Sequence, residues 1–302
     1  MNARAIFLSV TLLTLPAVLL RPALADSQDS VKLFISVDLE GISGVGSPLM
    51  TSTGGKDYEI ARQYMTREVN SVVAAILERI SGADILVNDS HGDHQNLLHG
   101  ELDPRVSYIQ GSIKPLGMVQ GLDSSFDGAI FVGYHAKAGD PDGFLAHTGS
   151  GSVKGLWLNG VEVGEGGMNA AFAGSLGIPV ILVSGDSAAT AELGQLLGSE
   201  TVTTKTAETP SSARLIHPDV VNGMLQEATQ VALDRLGNND FDPLDLGSPV
   251  EIRMRFASTT HVDVLQSIPG MSKIDGFTIR YVARSMDEAY RLIRLMYRFV
   301  SA

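Results

Sequence analysis

Lys32-Leu33-Phe34-Ile35-Ser36-Val37-Asp38-Leu39-Glu40-Gly41 joins an apolar run to two acids. The run has the length and composition of a buried strand. Asp38 and Glu40 stand where it ends, two positions apart, and residues two apart on a strand share a face. Gly41 then lets the chain turn sharply. Two carboxylates aimed at one point repel, and one ordinarily takes up a proton. A divalent cation removes the conflict by neutralising both. Taken alone, a D-x-E pair more often marks a solvated turn, so the reading depends on what other segments deliver to the same place.

Working outward, residues 57–80 carry a helical pattern, with Ile60, Tyr64, Val69, Val72, Val73, Ile76, Leu77 and Ile80 largely on one face. Ile85-Leu86-Val87-Asn88 is a short strand leading into Asp89-Ser90-His91. Strand, helix, strand is a βαβ unit and predicts a parallel sheet. Residues 129–133 form a clearer strand that runs into Tyr134-His135, and residues 139–151 form a loop holding His147. Asn159-Gly160, flanked by Leu156-Trp157-Leu158 and Val161-Glu162-Val163, is the preferred pair for a two-residue hairpin turn. Glu165 follows in a Gly-rich turn, with a helix over 168–176 close behind, a buried strand over 179–184, and Asp186 or Ser187 as the next N-cap. Pro218 opens a helix ending near Gly237. Residues 250–256 and 277–282 alternate as half-exposed strands, and Ser285-Met286-Asp287-Glu288 is a capping box ahead of a final amphipathic helix. The predicted class is α/β: a mainly parallel sheet flanked by helices over residues 26–249, with a smaller C-terminal α+β subdomain over 250–302 packed on it.

The ends and the composition narrow the function. Arg4, an apolar stretch to Leu20 and Ala23-Leu24-Ala25 read as a secretory signal peptide over residues 1–25. An uncleaved anchor is the weaker alternative, because the apolar run is short. Cleavage would remove Arg4 and Arg21 and no acid, taking the formal charge from −12 to −14. The expected location is therefore exported, periplasmic or secreted, with no stable membrane insertion after cleavage. A chain this acidic lacks the basic footprint of a nucleic-acid binder. There is no cysteine, so disulfides, thiolate metal sites and a cysteine nucleophile are all excluded. Any metal must be held by His, Asp and Glu.

One pattern recurs. An apolar strand ends and a metal-capable side chain follows at once, at Asp38 and Glu40, at His91 and at His135. In open parallel sheets ligands bind outside the carboxyl ends of the strands. Glu165 can join from a helix start. Five O/N ligands exceed one tetrahedral zinc and suit two metals about 3.5–4 Å apart, with Asp38 as the natural bridge. His94, His99, His217 and His261 have no comparable setting and read as ordinary surface residues, and His147 as a loop histidine.

The same residues resemble a known family. Ser36-Val37-Asp38-Leu39-Glu40-Gly41 matches the S-x-D-x-E-G signature of the M55 D-aminopeptidases of the DppA type. Val87-Asn88-Asp89-Ser90-His91, Gly133-Tyr134-His135-Ala136, Ala146-His147 and Val163-Gly164-Glu165 with Asn169-Ala170 follow in family order, over roughly residues 31–300. The resemblance implies a two-zinc aminopeptidase acting on short peptides with an amino-terminal D-residue. It implies Asp38 as bridging ligand, Glu40 and His91 on one Zn²⁺, His135 and Glu165 on the other, and His147 as the catalytic residue. It also implies a ring-shaped homodecamer with the sites facing an internal channel. The leader peptide departs from the family's best-known member and favours a periplasmic role near peptidoglycan.

The chemistry expected is metal-assisted hydrolysis, since bound zinc lowers the pKa of water to about 7. No dedicated general base is evident; Glu40 is the available carboxylate. Two other classes share these ligands: a periplasmic metal- or peptide-binding protein without turnover, and a two-metal phosphoesterase. No Arg/Lys clamp stands beside the ligand motifs in the sequence, which argues against the phosphoesterase.

Overall fold

A computed structural model describes residues 30–300, so the leader expected over 1–25 lies outside the described residues. The chain runs β1 (Lys32–Val37), α1 (Tyr58–Arg79), β2 (Asp84–Asp89), β3 (Ser107–Ile109), β4 (Gly128–Tyr134), β5 (Val153–Leu158), β6 (Val161–Glu162), α2 (Glu165–Ser175), β7 (Val180–Asp186), α3 (Ser187–Leu197), β8 (Glu200–Thr209), β9 (Ser212–Leu215), α4 (Pro218–Gly237), β10 (Val250–Phe256), α5 (Thr259–Leu265), β11 (Ser272–Lys273), β12 (Thr278–Ala283) and α6 (Met286–Val300). Among the described residues no helix is long and apolar enough to cross a membrane.

The larger sheet has the order β3-β2-β1-β4-β7-β8-β9. Every neighbouring pair is parallel except the β8–β9 hairpin. Its strands are covered on both faces, which is why β1 and β4 are continuous apolar runs rather than alternating ones. Leu33, Ile35 and Val37 join the core that holds α1 and α4, together with Ile130 and Val132. Phe34, Ala129 and Phe131 face the opposite core, built with α2 and α6. From β1 the chain winds outward through β2 and β3, then returns to lay β4 on the other side of β1. The gap between the carboxyl ends of β1 and β4 is therefore the topological switch point, where such sheets bind ligands.

The smaller sheet is antiparallel, in the order β11-β12-β10-β5-β6. It is not confined to the chain beyond 250: β10 pairs with β5, placing Met254 opposite Leu156. The 153–162 hairpin therefore belongs with the C-terminal strands, and one hydrophobic core runs through both. Its turn has the expected geometry, with φ of 47° at Asn159 and 86° at Gly160. The buried face of α1 is largely the expected one, with Val69, Val72, Val73, Ile76 and Leu77 in the core. It departs from expectation at the helix start, where Ala61 and Met65 are buried and Ile60 is 41% exposed. The β8–β9 hairpin and α5 have no counterpart in the sequence reading.

Candidate metal centre

β1 delivers its acids through a tightly packed turn. Asp38 N donates to the Val132 carbonyl at 2.8 Å and Gly41 N to the Gly133 carbonyl at 2.8 Å. The turn lies so close on β4 that a Cβ at Gly41 would stand 2.0 Å from the Tyr134 carbonyl oxygen, which explains the glycine. From behind, buried Lys205 on β8 donates to the carbonyls of Glu40 at 2.5 Å and Val45 at 2.7 Å. Thr204 Oγ1 donates to the Gly41 carbonyl. Glu68 on α1 accepts from the Ser43 amide at 2.7 Å and from its hydroxyl. The two carboxylates are thus held from both sides.

His91 follows β2 directly, and its loop is fixed by Asp89, whose Oδ2 accepts from the amides of Asn96 and Leu97 at 2.6 and 2.8 Å. His135 follows β4. Glu165 is the first residue of α2, after Gly164. His147 lies in a loop that is tied down rather than flexible. Phe144 N donates to Asp186 Oδ2 at 2.7 Å, Leu145 N to the Pro210 carbonyl, and Ala138 N to Thr148 Oγ1.

The three histidines are oriented alike. His91 gives Nε2 to the Thr51 carbonyl at 2.7 Å, His135 gives Nδ1 to the Ala136 carbonyl at 2.9 Å, and His147 gives Nδ1 to the Leu145 carbonyl at 2.8 Å. In a neutral imidazole the other nitrogen is then a bare acceptor. Those bare nitrogens all face carboxylates. His91 Nδ1 is 3.1 Å from Asp38 Oδ1 and 2.9 Å from Glu40 Oε2. His135 Nε2 is 3.5 Å from Asp38 Oδ2 and 3.6 Å from Glu165 Oε2. His147 Nε2 is 3.5 Å from Glu165 Oε1. Asp38 Oδ2, Glu40 Oε2 and His135 Nε2 are buried and make no hydrogen bond.

Acceptors facing acceptors in a buried site require protons or cations between them. Without a metal, the protons go to the rings. Burial lowers the His91 imidazole, but Glu40 and Asp38 outweigh it and hold it well above the usual value. Glu165 and Asp38 do the same to His135. Burial, then Glu40, pushes Asp38 up to about 7. Glu165, despite its burial, falls to about 2 beside His135 and His147. Divalent cations fit the same positions. Tetrahedral zinc with bonds of about 2.1 Å sets its ligand atoms about 3.4 Å apart, close to the 3.5–3.6 Å seen around His135. Two groups offer ligand atoms within 4.8 Å of one another: Asp38, Glu40 and His91, and His135, His147 and Glu165.

All six residues singled out in the sequence are therefore brought together. Asp38, Glu40, His91, His147 and Glu165 line one cavity of about 320 Å³, with His135 buried behind them. A larger, shallower depression near Lys137 and Glu192 has no such convergence of unsatisfied groups. Three features of the site have no counterpart in the sequence reading. His94 is buried, not at the surface. Ser36 Oγ lies 2.7 Å from both Ser90 Oγ and the Tyr134 hydroxyl, and Asn169 bonds that tyrosine at 2.9 Å, forming a polar floor beneath the site. Arg294 and Arg298, from the far C-terminus, line the same cavity, so the lack of a cationic clamp no longer tells against phosphate chemistry.

The comparisons with known proteins agree with this geometry. The D-aminopeptidase of Bacillus subtilis (strain 168) is 35% identical over 269 residues, spanning 88% of this chain and 96% of that protein. A solved structure described as a Zn-dependent D-aminopeptidase DppA from Bacillus subtilis, a self-compartmentalizing protease, superposes with a TM-score of 0.85 at 34% identity. The match covers 89% of this chain and 97% of that one. The model of the M55 peptidase family, described as D-aminopeptidase, matches residues 31–295, and the chain belongs to that family.

Proposed function

We propose that this chain is a two-zinc aminopeptidase that releases an amino-terminal D-residue, D-alanine foremost, from short peptides. The observation that carries the reading is the meeting of imidazole nitrogens and carboxylate oxygens from three strand ends and one helix start, with Asp38 Oδ2, Glu40 Oε2 and His135 Nε2 left without a hydrogen bond. Asp38 would be the shared ligand, because its two oxygens face histidines of different strands. Glu40 and His91 would complete one cation site, His135 and Glu165 the other. When bound there, a zinc pair supplies Lewis acidity and lowers the pKa of water to about 7.

The protein's own groups do the remaining work. His147 presents Nε2 to the cavity because Nδ1 is committed to the Leu145 carbonyl. With Nδ1–H committed, Nε2 would first take up the proton released by the attacking water, then hold it against the developing oxyanion or pass it to the leaving amine, a role contributing about 10²–10⁴-fold. Glu165 and the stacked His135 ring fix its orientation. Glu40, which would ligate the first cation, would also be the carboxylate available to take the proton that water gives up. Zinc-loaded protein should release D-alanine from D-Ala-D-Ala, lose that activity with a chelator, and leave L-Ala-L-Ala largely intact. Faster cleavage of a generic phosphate ester than of any D-peptide would count against the reading.

Export to the periplasm is proposed on the leader-like residues 1–25, and osmotic-shock fractionation tests it. A ring-shaped homodecamer with the sites on an inner channel is proposed from the family; light scattering of the purified protein should return ten times the protomer mass.

A further inference from the structure

The cavity that holds the acidic groups changes sign at its other end. Beyond the residues of the centre, Ser90 and Met118, its lining is His94, Arg294, Tyr297 and Arg298, with Gly92, Ser112, Gly149 and the solvent-exposed Asp93 completing it. Arg294 is only 6% exposed. It donates through Nη1 to the Tyr297 hydroxyl and through Nη2 to the Lys114 carbonyl at 2.9 Å, while its buried Nε has no partner. Lys114, also buried, gives its ammonium to Asn88 Oδ1 at 2.7 Å and to the Asp89 carbonyl at 2.5 Å. Arg298, at the rim, donates to His94 Nε2 at 3.4 Å. Arginine only donates, so His94 is the neutral Nδ1–H tautomer, bonded to the Asp89 carbonyl at 3.1 Å. Burial, then Lys114, Arg294 and Arg298, pushes its pKa down to about 3. The hydrogen-bond partners of all three cations are thus neutral: carbonyls, an amide, a hydroxyl and an imidazole. A buried guanidinium without an anion is costly, and this one faces a cavity.

A site acidic at one end and cationic at the other is complementary to a zwitterion. The two ends are close. The Tyr297 ring packs on Gly149, where a Cβ would stand 2.4 Å from it, and Gly149 N donates to Glu165 Oε1 at 2.5 Å. Two extended residues reach about 7 Å, and a volume of about 320 Å³ is at the small end of ligand sites. We propose that Arg294 and Arg298 form the subsite for the free α-carboxylate of a short peptide whose amino end lies at the metal centre, so that the enzyme prefers peptides short enough to span both, dipeptides above all. The inference rests on the proposed peptidase activity for the placement of the amino end.

The test uses a non-cleavable reduced-amide analogue of D-Ala-D-Ala, as the free acid and as the carboxamide, titrated calorimetrically into the zinc-loaded protein. A charge-assisted bond to the carboxylate predicts tighter binding of the acid by about 10–100-fold. That preference should shrink to about 3-fold or less in Arg298→Met and Arg294→Met. Arg294 is buried and its replacement can unfold the protein, so the rim variant Arg298→Met is the deciding one. Equal affinity for acid and carboxamide in the wild type, or an undiminished preference in folded Arg298→Met, overturns the subsite. A preference for the acid with no turnover of any D-peptide would leave the subsite standing and sink the proposed function instead.

Discussion

The ring of His147 lies flat on that of His135, with centroids 4.0 Å apart and planes 12° from parallel. His135 is buried, whereas the His147 side chain keeps 30% of its surface exposed toward the cavity. On the proposed reading His135 holds a cation and His147 meets substrate, although both reach Glu165 and all three offer atoms to one candidate ion position. His147→Ala should lower kcat by about 10²–10⁴-fold and leave zinc content unchanged. Elemental analysis alongside steady-state kinetics separates this from a ligand role, which would show as loss of one zinc.

Asp38 divides its oxygens between His91 and His135. Asp38→Ala should empty both cation positions, because each loses a ligand and the remaining carboxylates no longer balance the charge. His135→Ala should cost mainly one. Equal and full zinc occupancy in the two variants would reject Asp38 as the shared ligand.

Lys205 tests the support behind Glu40. Its ammonium is buried and bonds the carbonyls of Glu40 and Val45, while also lying over the Phe144 ring at 5.0 Å. Lys205→Met keeps the bulk and leaves two buried carbonyls unpaired, a cost of about 1–3 kcal/mol for each group. A lower melting temperature and weaker binding of one zinc are the expected readouts. A variant as stable as the wild type, with unaltered zinc affinity, would show that the loop does not depend on this lysine.

Glu68 predicts a pH effect on stability. Burial, only partly offset by the Ser43 hydrogen bonds, raises its carboxyl from 4.5 to about 7, and its Oε2 has no partner. Between those two values the folded state binds more protons than the unfolded one, so this group makes stability fall as pH rises. Its full destabilising effect is reached above about 7 and is absent below about 4.5. In Glu68→Gln the decline between pH 5 and 8 should be smaller by about 1–3 kcal/mol, read from urea midpoints. Identical pH profiles in the two proteins would contradict the assignment.

Much of the centre was legible because the sheet writes it locally. Asp38, His91 and His135 each follow an apolar strand with no intervening loop, and a parallel sheet collects strand ends at one edge. Glu165 was less plain from its turn alone, and family likeness supplied its role. The cationic end left no such trace. Lys114, His94, Arg294 and Arg298 come from three segments, His94 read as surface and the others carrying no motif, and the docking of α6 brings them together. Lys205 was hidden because its strand, β8, was not read from the sequence and lysine is ordinarily an exposed residue. The pairing of β5 with β10 spans about a hundred residues and has no local signature, which is why the second sheet drew on more of the chain than its C-terminal strands suggested.

The most direct test of the central claim is an anomalous difference map at the zinc edge from crystals of the zinc-loaded protein. Two peaks are expected in each protomer, about 3.5–4 Å apart, with the Asp38 carboxylate between them, His91 on one and His135 on the other. A single peak, or a pair that Asp38 does not touch, would contradict it.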